Sequence, residues 1–150
     1  MKFLSIVFCC ICLFSCKDDK EEVDCSLLDF ANPSLFIKLL DANGNNLIEN
    51  KVYNSDDISI IFNGYTMTNV VIDNVESLEN LIVLNLIGVE GNNIFEIKLS
   101  DTETDTLIMN LTVESKYCGW TFLKLNSVTY NDVIKTYEDF NGNFLITIIK

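Results

Sequence analysis

Histidine and arginine are absent from this chain of 150 residues, and proline and tryptophan occur once each. Without histidine neither a Ser-His nor a Cys-His nucleophile pair can be built, and the commonest neutral metal ligand is missing. The six glycines are scattered as turn residues, so no glycine-rich loop is present to cradle a phosphate. These absences point to a chain that is not an enzyme, with neither a cofactor nor a metal. The longest leading apolar run, Phe3 to Phe14, is interrupted only by Ser5. It falls short of the ~20 residues of a spanning helix. Ten basic residues, all lysine, face 22 acidic ones for a net charge of −12. That surface disfavours nucleic acid and anionic headgroups and suits cations or basic partners.

What is present begins with address. Met1-Lys2 and the apolar run match a secretory signal. The run ends Leu13-Phe14-Ser15-Cys16 and is followed by Lys17-Asp18-Asp19-Lys20-Glu21-Glu22. Leu, a small residue and Cys at these offsets resemble the lipobox of bacterial lipoproteins. The resemblance implies cleavage after Ser15, lipid on Cys16 and a membrane partner reached through that anchor; more than one acyl chain would make it durable. Lys17-Asp18-Asp19 resembles the signal that exports lipoproteins of Bacteroidota to the outer face of the outer membrane. The expected organisation is a signal peptide over 1–15, a lipidated acidic tether over 16–24 and one domain over 25–150.

Cysteine usage follows from that organisation. Cys9, Cys10 and Cys12 leave with the signal, and Cys16 carries lipid. Cys25 and Cys118 remain as a pair in an oxidising compartment, and a disulfide between them is expected.

Extended segments separated by turn residues fill the domain. Ser34 to Leu40 runs apolar into the turn Asp41 to Asn46, and Leu47 to Tyr53 reads as a further extended stretch. Ile58 to Phe62 ends at Asn63-Gly64, and Thr66 to Ile72 follows. Leu78 to Ile87 is apolar on both faces, which predicts a central strand. Phe95 to Leu99 alternates apolar and charged residues. After the loop Ser100 to Thr104, Leu107, Met109, Leu111 and Val113 share one face. Trp120 to Leu125, Ser127 to Tyr130 and Phe144 to Ile149, after Asn141-Gly142-Asn143, complete the set. The fold class read from this pattern is all-β, an antiparallel immunoglobulin-like sandwich of about 7–9 strands. A lipocalin-like meander barrel is the alternative.

Candidate chemistry is sparse. Asp41-x-Asn43-x-Asn45 has the spacing of a calcium loop, but Asn46 stands where that loop needs glycine and Val52 where it needs a bidentate glutamate. A hairpin turn is the better reading. Asp56-Asp57 and Glu138-Asp139 are adjacent pairs, which a strand would send to opposite faces rather than across a substrate. Tyr117, Trp120, Tyr130 and Tyr137 are candidate sugar-stacking or partner-anchoring aromatics that equally suit a core. Asp105-Thr106-Leu107 resembles the O-glycosylation signal of secreted Bacteroidota proteins, with Thr106 as acceptor.

Together these features resemble the small surface lipoproteins of Bacteroidota that carry a single β-sandwich. The resemblance implies a non-catalytic binding or accessory module for a glycan or protein ligand, displayed at the cell surface. A structural subunit of an envelope complex and a carrier of a small apolar ligand are the competing expectations.

Overall fold

Asparagine punctuates this chain because it tolerates the left-handed backbone that tight hairpins require. In the computed structural model, which describes residues 25, 31–115, 118 and 120–150, three two-residue turns have positive φ at both positions. They are Asn63-Gly64, Asn131-Asp132 and Asn141-Gly142. Each joins neighbouring antiparallel strands in the geometry that matches their twist. The lipobox, Cys16, the acidic tether and Tyr117 lie outside the described residues.

Among the described residues ten strands result: β1 (Ser34–Leu40), β2 (Ser59–Phe62), β3 (Tyr65–Met67), β4 (Ile82–Asn85), β5 (Gly91–Lys98), β6 (Thr104–Ser115), β7 (Thr121–Tyr130), β8 (Val133–Lys135), β9 (Glu138–Phe140) and β10 (Asn143–Ile149). They form a four-stranded sheet in the order β4-β1-β10-β9 and a six-stranded sheet in the order β3-β2-β5-β6-β7-β8. The two sheets pack as a β-sandwich. Leu35, Ile37, Leu39, Ile82 and Ile146 from the first sheet meet Ile60, Phe95, Ile97, Leu107, Met109 and Val128 from the second, all fully buried. Phe62 stacks on Phe95 with ring centroids 4.3 Å apart. These buried side chains form the core between the two sheets.

The β5–β6 hairpin follows the alternation in the sequence. Phe95 opposes Leu107 and Ile97 opposes Asp105, and the apolar members point inward. Other expectations are corrected. Leu47 to Tyr53 is not extended. Asn46 Oδ1 accepts the backbone N–H groups of Ile48 and Glu49, curling the segment into a turn that buries Leu47, Ile48 and Tyr53. The Leu78 to Ile87 run is not a central strand; only Ile82–Asn85 is β, at a sheet edge. Its apolar outer flank is covered by the 70–72 segment, where Val83 N–H donates to the Val70 carbonyl and Ile72 N–H to that of Leu81. The stretches expected at Trp120 to Leu125 and Ser127 to Tyr130 join, from Thr121 on, into one strand, β7. A bulge at Asn126 restores the inward phase of Val128 and Tyr130. β8 had no apolar alternation long enough to announce it.

One pairing departs from an all-antiparallel arrangement. β1 and β10 run parallel along six residue pairs, from Leu35 with Phe144 to Leu40 with Ile149. Cys25 and Cys118 are joined by a disulfide, Cα atoms 5.6 Å apart across 93 residues of sequence. Removing it with the pair Cys25→Ser and Cys118→Ser should lower unfolding free energy by roughly 4 kcal/mol in the loop-entropy account. Urea unfolding of the oxidised protein against the variant measures this. Coincident curves would show that the crosslink constrains nothing.

Candidate functional site

Two concentrations of polar side chains stand out, one between the sheets and one over the four-stranded sheet. The first is built around Lys150, which follows β10. Its Nζ lies 2.5 Å from Glu103 Oε1 and 2.5 Å from Asp105 Oδ2. Asp105 is on β6 and only 5% exposed. Its Oδ2 also accepts from Tyr130 Oη at 2.6 Å, and its Oδ1 from Asn131 Nδ2 at 2.7 Å. Tyr53 Oη donates to Glu103 Oε2 at 2.9 Å.

The electrostatics hold Asp105 and Lys150 in their charged forms. Burial works against the Asp105 carboxylate, but hydrogen bonds from Asn131, Lys150 and Tyr130 outweigh it and hold the group below its usual range. Burial likewise opposes the Lys150 ammonium, and hydrogen bonds to Asp105 and Glu103 overcome it and raise the group. The Tyr130 phenol is pushed far up, first by burial and then by its bond to Asp105. A general acid or base needs the reverse, a group poised near neutrality. The cluster therefore acts as a bolt from the end of β10 in one sheet to β6 and β7 in the other.

The second concentration is an open groove of about 510 Å3 over β1 and β10. Leu40, Leu145 and Phe140 line it with apolar surface, beside Lys38. Asn45, Glu49 and Asn50 contribute from the loop after β1, and Glu76 and Glu79 from the loop before β4. Both walls are fixed. Asn46, itself buried, caps its own turn through Oδ1 and donates from Nδ2 to the Asn80 carbonyl at 3.2 Å, tying one loop to the other. Asp41 organises the neighbouring turn by accepting the N–H groups of Asn43 and Asn45 at 2.8 Å each. With Asn45 Nδ2 on its second oxygen, Asp41 is used as a turn former, as expected. Its carboxyl is lowered, chiefly by the Asn45 side-chain hydrogen bond. Phe140 is braced edge-on against Phe36, centroids 5.7 Å apart.

Among the described residues no group of three or more candidate ligands converges on a metal position. No helix there is long and apolar enough to cross a membrane. Asp56 and Asp57 are exposed on a short 3-10 turn, and Glu138 and Asp139 are exposed on β9. Tyr130 belongs to the bolt. Tyr137 packs edge-on against Phe144 and donates to the Leu125 carbonyl. Trp120 is 48% exposed, two residues from the disulfide. Thr106 faces outward from β6 opposite Glu96, while the Asp105 beside it points inward and is committed to the bolt.

Comparison with protein-family profiles, curated proteins and solved structures returns no match for this chain. Its functional reading therefore rests on geometry.

Neither concentration was named from sequence, yet the bolt had a signal. Asp105 falls in phase with Leu107, Met109 and Leu111, and Lys150 with Ile146 and Ile148. A carboxylate and an ammonium at inward positions of two strands need each other. Replacing Lys150 with Met should cost about 3 kcal/mol by leaving Asp105 without its cation. The pH dependence has a definite sign. Because the Asp105 carboxyl is held below its ordinary 3.8, its contribution is present above that pH and is lost as pH falls through the folded value. The stability gap between the native protein and Asp105→Asn should therefore shrink below about pH 4. A gap that stays constant down to acid unfolding would contradict the assignment.

Proposed function

We propose that this chain is a non-catalytic binding module, anchored to the outer membrane through lipid on Cys16 and displayed at the cell surface, and that the groove over β1 and β10 takes a neutral glycan. The observation that carries this reading is the groove itself. Phe140, Leu40 and Leu145 in its mostly polar lining offer apolar surface to the C–H faces of sugar rings. Its walls of Asn45, Asn50, Glu49, Glu76 and Glu79 offer donors and acceptors to hydroxyl groups. The carboxylates disfavour phosphate or sulfate on the ligand. Loops tied through Asn46 keep the walls in place before a ligand arrives, which lowers the ordering cost of binding.

The non-catalytic part of the reading draws on the missing histidine and on the charge-locked bolt. Anchoring draws on the lipobox. A basic protein segment is the competing occupant, favoured by the same three glutamates. Ionic strength separates the two, because a glycan held by hydrogen bonds is insensitive to screening and a basic segment is not.

A soluble form beginning at residue 23, applied to an array of neutral oligosaccharides, should bind a defined subset. Phe140→Ala and Asn50→Ala should each weaken that binding about tenfold, or 1.4 kcal/mol. Raising salt should change it little. No bound glycan at high protein concentration, or binding untouched by both substitutions, would sink the proposal. The anchor has its own test. Cys16→Ser in the full chain should move the protein out of the membrane fraction, and retention there would refute acylation at Cys16.

A further inference from the structure

The outward face of the six-stranded sheet differs in chemistry from the rest of this acidic molecule. Ile94, Ile108, Thr129 and Ile134 stand in one register row across β5, β6, β7 and β8. Ile94 is 59% and Ile134 77% exposed. Beside this row lies an amide row. Asn110 Nδ2 donates to Asn92 Oδ1, and Asn126 Nδ2 donates to Asn110 Oδ1 and Thr112 Oγ1. These bonds tie the outer side chains of three strands to one another.

Charge on this face is close to balanced. Its strands carry Glu96 and Glu114 outward against Lys98 and Lys124, with Glu114 and Lys124 3.7 Å apart and Lys98 paired with Asp101 at 2.8 Å. The whole chain stands at −12, so the excess negative charge lies elsewhere. Two copies meeting at a strongly acidic face would repel, whereas two meeting here would repel far less. Exposed β-branched residues in register supply the apolar contact that a sheet-on-sheet interface needs.

We propose that this face is a self-association surface on which a second copy of the chain packs sheet to sheet about a two-fold axis. The size suffices. The six strands range from three residues in β3 and β8 to twelve in β6, and at ~3.3 Å per residue and ~4.8 Å between strands the whole face covers roughly 600 Å2. Each copy would contribute roughly 600 Å2 and the pair roughly 1,200 Å2, the lower bound for a stable interface. A self-complementary patch of this kind is the usual route to a closed dimer. An axis running along the strands also brings the Cys25–Cys118 ends of both copies to the same side. The inference is independent of what the groove binds.

Sedimentation velocity of the full chain in density-matched detergent tests it. The expected result is a dimer that dissociates on dilution. Ile94→Lys combined with Ile134→Lys should weaken it at least tenfold, while Val52→Lys, an exposed change away from this face, leaves it intact. If the double variant melts early, Thr129→Lys alone serves as the second probe and should also favour monomer. A native chain that is monomeric at its highest soluble concentration overturns the proposal. So does a dimer that survives all these face substitutions.

Discussion

The parallel pairing of β1 with β10 is the constraint on which the other features depend. It joins residues 35–40 to 144–149, so the four-stranded sheet cannot exist until most of the domain's length has been brought together. That loop closure is entropically costly, and it is repaid by the apolar seam that the two strands complete. The inner residues of both strands, Leu35, Ile37, Leu39, Ile146 and Ile148, are nearly or fully buried against the second sheet. The six-stranded sheet is different. Its β5–β6–β7–β8 meander is local in sequence and gives a template on which the mixed sheet can assemble.

Two consequences run outward from the same pair. Toward the interior, β10 delivers Lys150 to Asp105 and Glu103, and the Lys150 N–H donates to the Leu40 carbonyl. The last contact of β1 with its partner is therefore also the position of the inter-sheet bolt. Toward solvent, Lys38 and Leu40 of β1 and Leu145 of β10 line the groove. A ligand there would rest on the paired strands β1 and β10, with Phe140 held edge-on by Phe36.

Much of the second sheet was legible because its information is local. Period-two alternation marks Phe95 to Leu99 and Leu107 to Val113, and Asn-Gly marks two of the three positive-φ turns. The Cys25 and Cys118 pairing followed from compartment and counting. What stayed hidden is non-local or out of pattern. Nothing in β1 or β10 states that they are partners, or that they run parallel. The 78–87 run looked central because both its faces are apolar, whereas the covering segment at 70–72 supplies the second neighbour. The Leu47 to Tyr53 segment has strand-like composition, but Asn46 caps a turn and overrides it. The groove was illegible for a further reason: its residues come from β1, β9, β10 and two loops, and the one motif that touches it, Asp41-x-Asn43-x-Asn45, reads as a turn.

The central claim is that β1 and β10 floor a binding groove in a displayed, non-catalytic module. The most direct measurement is amide chemical-shift mapping of the isotopically labelled soluble domain titrated with neutral oligosaccharides. The account predicts saturable shifts confined to residues 38–50, 76–81 and 138–145. Shifts on the outer face of the six-stranded sheet, or none at millimolar ligand, would contradict it.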